Sequence, residues 1–220
     1  MEDGGDSSVS TVLVTTIVHG RYLLRRRGLD SLLVGFHGYG ENAERHMAEI
    51  EQIPGIGAWS VAAVQALHPF YNTKTNEVVA NWMTRQDRQE AIADNVGYVE
   101  RVVSEVATAG TRRIVFAGFS QGTAMAYRAA AAMAARYRIV GLVILGGDLP
   151  SELSDRASSF PPVLLGRGVE DDWFSDEKLE KDLKYLGTAS RPVRYKGGHA
   201  WTDEFRAAAG QFLKELADAG

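Results

Sequence analysis

Residues 113–122 read Arg113-Ile114-Val115-Phe116-Ala117-Gly118-Phe119-Ser120-Gln121-Gly122, and the Ala-rich stretch 123–135 follows directly. Ile114, Val115 and Phe116 are β-branched or aromatic and Ala117 is apolar, as in a buried strand, and Gln121–Arg136 has the composition of a helix. Between them stands Gly-x-Ser-x-Gly. A chain that passes from strand to helix within so few residues holds the serine at the tip of a sharp, strained bend. The residues two before and two after the tip press on each other and on neighbouring elements, so Gly118 and Gly122 have no room for a side chain. Because the bend opens a helix, the Gln121 N–H has no partner within the helix and points to where negative charge would develop on an attacked carbonyl.

Outward from this bend, strands and helices alternate. Thr11–Val18, Leu32–Phe36, Ser60–Leu67, Ile139–Leu145, Val163–Leu165 and Pro192–Tyr195 read as strands. Glu44–Ile50, Gln86–Ala109, Asp176–Leu186 and Asp203–Leu216 read as helices, the second through apolar positions at Ile92, Val96, Val99, Val102, Val103 and Val106. The alternation predicts an α/β fold with a mostly parallel central sheet and helices on both faces. His19-Gly20 separates Thr11–Val18 from Arg21–Arg27, so an N-terminal antiparallel hairpin is expected at a sheet edge, where the arginines would be solvated. Phe70–Arg85 shows no regular period and is expected to be an irregular loop.

The chain has 220 residues, 45% of them hydrophobic and 24% charged, with a formal net charge of −4. This suits one folded domain over residues 11–220 without a large lid, preceded by an acidic tail over 1–10 expected to be disordered. An acidic balance gives nucleic acid no attractive field. The start of the chain has neither the basic nor the apolar part of a secretion signal, so a cytoplasmic location is expected. No run is long enough for a membrane span. There is no cysteine, so no disulfide or thiolate site can form. The histidines lack metal-ligand spacing and no dinucleotide fingerprint follows the early strands, so neither metal nor cofactor is expected.

In parallel α/β sheets chemistry gathers on the loops at the carboxyl ends of the strands. His199 is the one histidine after Ser120, on the loop Gly197-Gly198-His199-Ala200-Trp201 before the last helix. It is the candidate base, in the order nucleophile, acid, histidine. Gly166-Arg167-Gly168-Val169-Glu170-Asp171-Asp172 offers three carboxylates for the acid, and Asp148 is a further candidate. The loop His37-Gly38-Tyr39-Gly40 can turn a backbone N–H, best that of Tyr39, toward the same carbonyl, with His37 bracing the loop. His68 fits either the cleft wall or a structural role. Tyr71, Trp82, Trp173, Phe174 and Trp201 lie on loops near the site and are expected to form an apolar substrate pocket.

GFHGYG (35–40), GFSQG (118–122), GRGVEDDW (166–173) and GGHAW (197–201) together resemble the phospholipase/carboxylesterase family, which includes bacterial carboxylesterases and acyl-protein thioesterases. The resemblance runs from about Leu32 to the C-terminus. It implies the α/β-hydrolase fold and a serine hydrolase cleaving carboxylic esters or thioesters through an acyl-enzyme; because no insertion is long enough for a large lid, small to medium acyl groups are expected. It also implies the triad Ser120, Asp171 and His199, with Tyr39 and Gln121 N–H groups as the oxyanion hole, and it favours Asp171 over Glu170 and Asp172. Arg167 stands in the family's histidine position, Phe174 in that of a valine, and Asn81-Trp82-Met83-Thr84 replaces a Trp-Phe-Asp type segment. These departures leave acyl-chain and leaving-group preference open. A peptidase or acyltransferase using the same triad, and a ligand-binding protein without catalysis, are the alternatives.

Overall fold

The computed structural model describes residues 9–28 and 30–219, so all but the last two residues of the expected tail over 1–10 lie outside the described residues. Seven strands form the main sheet: β1 (Tyr22–Arg25), β2 (Ser31–Phe36), β3 (Ser60–Val64), β6 (Arg113–Phe119), β7 (Ile139–Leu145), β8 (Val163–Gly168) and β9 (Ser190–Tyr195). Their order is β1-β3-β2-β6-β7-β8-β9. All neighbours are parallel except β1, which runs antiparallel to β3 at the edge. Strands β2, β3, β6 and β8 are buried along their whole length. This is why they read as continuous apolar runs: a parallel sheet is covered on both faces.

The covering helices are α1 (Ala43–Ile50), α2 (Arg88–Val106), α3 (Gln121–Met133), α4 (Asp176–Leu186) and α5 (Asp203–Asp218). Val99, Val103, Met125 and Ala129 of α2 and α3 pack on one face with Phe36 and Phe116. Met47, Ile50, Phe205 and Phe212 of α1 and α5 pack on the other with Leu33 and Val115. Helices α1 and α5 start at side-chain caps, Asn42 accepting from the Arg45 N–H and Thr202 from the Phe205 N–H.

Two expectations are corrected. Residues 11–18 form no strand, and Val12, Val14 and Ile17 are exposed. The expected hairpin partner of Tyr22–Arg25 is replaced by β3, with Tyr22 opposite Val64. The cause lies at Gly20 and Arg21. A Cβ on Gly20 would stand 2.2 Å from the Tyr98 ring, and the Arg21 carbonyl accepts both the Tyr98 hydroxyl (2.6 Å) and the Gln65 N–H (3.0 Å). The chain therefore leaves β1 across α2 instead of turning back beside it. The segment 70–85 is not irregular throughout: β4 (His68–Tyr71) and β5 (Val78–Asn81) pair antiparallel as a separate two-stranded sheet. The turn between them places Asn76 at φ 56°, a left-handed conformation asparagine tolerates.

Candidate active site

The bend after β6 holds Ser120 at φ 52° and ψ −119°, a strained conformation for any residue with a side chain. Backbone packed around it allows no other path. A Cβ on Gly122 would lie 2.1 Å from the Phe36 carbonyl oxygen, and one on Gly118 2.5 Å from the Gly122 carbonyl oxygen. The Ser120 N–H donates to the Leu145 carbonyl (2.9 Å), tying the bend to the end of β7. The Thr123 hydroxyl donates to the Ser120 carbonyl (2.7 Å).

Of the three carboxylates after β8, Asp171 meets the imidazole, with Oδ2 2.8 Å from Nδ1 of His199. Its other oxygen accepts the N–H groups of Trp173 (2.8 Å) and Phe174 (2.9 Å). Glu170, Asp172 and Asp148 are exposed. The imidazole stacks at 5.0 Å on Phe119 and sits over Gly146, where a Cβ would approach its Cε1 to 2.9 Å. Ser120 and His199 line one cleft of about 440 Å³, with Gln121, Gly146, Gly147, Trp173 and Phe174. Among the described contacts Ser120 and His199 do not hydrogen-bond, and such pairs commonly tighten only when substrate binds.

The loop after β2 lies against the same serine: a Cβ on Gly38 would stand 3.3 Å from that of Ser120. His37 is buried and braces this loop. Its Nδ1 lies 2.7 Å from the Gly38 carbonyl and its Nε2 accepts the Ala66 N–H (3.1 Å). Burial pushes its pKa down to about 4, so the ring is neutral. The Gly38 N–H is taken by the Glu41 carboxylate (2.8 Å) and the Gly40 N–H by the Ala80 carbonyl (3.1 Å). Among the described residues the Tyr39 and Gln121 N–H groups have no protein acceptor. The Tyr39 ring itself points out, beside Phe70.

The five residues expected to form an apolar pocket are not all brought to the cleft. Trp173 and Phe174 line the cleft; Tyr71, Trp82 and Trp201 do not. Trp82 is fully buried, packs edge-on against Phe36 and donates Nε1–H to the His37 carbonyl (2.8 Å), so it supports the loop after β2 from beneath. Trp201 packs among His46, Phe119 and Phe205. Pairing of β4 with β5 leaves Tyr71 facing solvent. His68 borders a separate hollow of about 290 Å³ with Asn81 and Glu90. The cleft is instead completed by Met83, Thr84, Arg85, Arg88, Thr123, Ala124 and Asp148.

Several side chains that shape the site were not singled out from sequence. The Gln121 amide accepts the Trp82 N–H (2.9 Å) and donates to the Met83 carbonyl (2.8 Å), clamping the 82–83 segment to the bend at Ser120. Asn95 donates to the Trp82 carbonyl (2.8 Å) from within the apolar stripe of α2, and a polar residue on such a stripe was the available signal. Arg167 is buried and donates Nε–H to the Phe174 carbonyl (2.7 Å), which holds the loop carrying Asp171. Asp182, also buried, accepts the Leu149 N–H (2.8 Å) behind the loop that carries Asp148.

The phospholipase/carboxylesterase family model matches residues 27–216. The chain belongs to this family. It is a hydrolase of the esterase and thioesterase type, on an α/β-hydrolase fold. Solved structures similar to it include acyl-protein thioesterase 2 of Zea mays, at 19% identity and TM-score 0.70, covering 90% of this chain and 99% of that one. Esterase PE8 matches at 20% identity and TM-score 0.71, covering 90% and 100%. The Bacillus cereus carboxylesterase matches at 17% identity and TM-score 0.66, covering 90% and 94%. No curated protein matches the sequence. Among the described residues no helix is long and apolar enough to cross a membrane.

Proposed function

We propose that this family member is a serine hydrolase that cleaves carboxylic esters or thioesters of small to medium acyl groups through an acyl-enzyme on Ser120. The observation that carries the reading is the 2.8 Å Asp171–His199 contact in the cleft that also holds the strained Ser120. A serine hydroxyl is a weak nucleophile until a base takes its proton. His199 Nε2 takes that proton as Ser120 Oγ bonds to the carbonyl carbon. Asp171 fixes the tautomer with the proton on Nδ1 and stabilises the imidazolium that results. The Tyr39 and Gln121 N–H groups receive the oxyanion, each such donor typically contributing about 100- to 1000-fold in turnover. The imidazolium then returns its proton to the departing alcohol or thiol. A water deprotonated by His199 attacks the acyl-enzyme and releases the acid. The cleft volume of about 440 Å³ suits a small or medium substrate.

The test is chemical. A fluorophosphonate probe is expected to add once to the wild-type protein, at Ser120, and not to folded Ser120→Ala. Full labelling of the alanine variant would remove Ser120 from the mechanism.

A further inference from the structure

The arginines of this protein are mostly spoken for. Arg128 is buried and held by Glu152 (2.5 Å), Arg206 pairs with Asp203 (2.8 Å) and Arg194 with Glu180 (2.5 Å). Arg85 and Arg88, both exposed, line the cleft of Ser120 and His199, and neither has a carboxylate within 4 Å among the described residues. No ion pair accounts for them, although Arg88 helps lower the pKa of Glu152 from beyond ion-pair distance. Arg88 lies in the first turn of α2, where a cation opposes the helix dipole. It also acts against a like charge, since burial, and to a lesser degree Arg88, lower the pKa of Arg128. Arg128 stands directly behind the cleft wall, with Nη1 3.5 Å from the sulfur of Met83, itself a lining residue. Asp148 is the one carboxylate of the lining and stands on another segment, after β7. The lining side chains thus include two arginines against one carboxylate, in a chain whose net charge is −4.

We infer that the substrate carries an anionic group, a carboxylate or phosphate, which Arg85 and Arg88 hold while its carbonyl lies at Ser120; this rests on the hydrolase reading above. A guanidinium presents a planar fork of donors that matches such oxyanions, and an accumulation of one sign in a cleft steers them inward. An anion there would also relieve the repulsion between Arg88 and Arg128.

Three 4-nitrophenol esters test this: a neutral butanoate, a glutarate half-ester with its acid on the acyl side, and a butanoate of 3-carboxy-4-nitrophenol with its acid on the leaving group. At low salt, kcat/KM for one of the acidic esters, relative to the neutral one, is expected to be about 10-fold or more higher than in Arg85→Gln/Arg88→Gln, the scale of one partly exposed charge-assisted hydrogen bond. Whichever acidic ester shows the effect locates the anion on the acyl or the leaving-group side. The preference should fade in about 1 M salt, where the screening length is about 3 Å. Turnover of all three esters with the same ratios in wild type and double variant overturns the inference and leaves the hydrolase reading in place. Failure of folded wild-type protein to turn over any of them, with no probe labelling of Ser120, overturns both.

Discussion

The two oxygens of Asp171 face different partners, Oδ1 the N–H groups of Trp173 and Phe174 and Oδ2 the Nδ1 of His199. Asp171→Asn separates these roles. An asparagine can keep its carbonyl oxygen on the two N–H groups and so preserve the loop. Its amide nitrogen then faces Nδ1 as a donor and forces the imidazole into the tautomer that cannot accept the Ser120 proton. Turnover of an activated ester is expected to fall about 10⁴-fold, with the thermal midpoint nearly unchanged. A fall below about tenfold would make the aspartate dispensable as an orienting group, since loss of an interaction of about 1.4 kcal/mol already accounts for that much. At this scale the sequence was only partly legible. Glu170, Asp171 and Asp172 are consecutive and chemically alike, and the residues alone left them open. What separates them is a turn in which the Asp171 N–H bonds to the Gly168 carbonyl (3.0 Å), burying one carboxylate and leaving its neighbours in water. Ser120 and His199 stand out as candidates in the sequence because the glycines around the one and the chain order of the other leave little choice, and the fold brings both to one cleft.

Elements whose pattern reports burial were read correctly, and elements held by particular side chains were not. Ile139–Leu145 and Asp176–Leu186 have the bounds that their apolar pattern gives. β4 shows no alternation of buried and exposed residues, so period-2 reading has nothing to detect. Likewise the apolar run 11–18 looks like a strand, yet the contacts of Gly20 and Arg21 with Tyr98 lead it away from any partner. The Gln121 clamp belongs to this scale, since it joins the start of α3 to the segment leaving β5. Gln121→Glu keeps an acceptor for the Trp82 N–H but turns a carboxylate oxygen toward the Met83 carbonyl. One part-buried hydrogen bond becomes a repulsion, a loss of about 1–3 kcal/mol. Amide hydrogens of residues 82–85 are expected to exchange faster in the variant, while those of β6 and β7 keep their protection. Because Met83, Thr84 and Arg85 line the cleft, KM should rise with them. Unchanged exchange over 82–85 would show the clamp to be redundant with Asn95.

Closing a sheet of this length on both faces buries two histidines with it, and this gives the molecule a pH-dependent stability. His46 lies under β2, where Gly35 makes room for it: a Cβ there would approach its Cδ2 to 2.8 Å. Burial, and then the neighbouring His37, push the His46 pKa from 6.5 down to about 3, while burial takes His37 to about 4. Below pH 6.5 the unfolded chain binds protons at both rings and the folded chain does not. Stability is therefore present above that pH and drains away as acid is added, until the folded rings protonate near pH 4 and 3. Burial has the opposite consequence at Glu41 and Asp182, whose carboxyls are raised, the latter to about 6, so they favour the folded state as pH falls. The measured curve is their sum, and a difference between two proteins isolates one ring. His46→Gln keeps a polar side chain of comparable size without the titration. Urea unfolding of both proteins from pH 7 to 4.5 is expected to show the wild type losing stability faster on acidification, by up to about 1.4 kcal/mol per pH unit. The variant can be the less stable of the two at pH 7, because it alters a packed site; the slope carries the information. Parallel curves across that range would mean that the His46 ring takes up its proton in the folded protein as readily as in the unfolded chain.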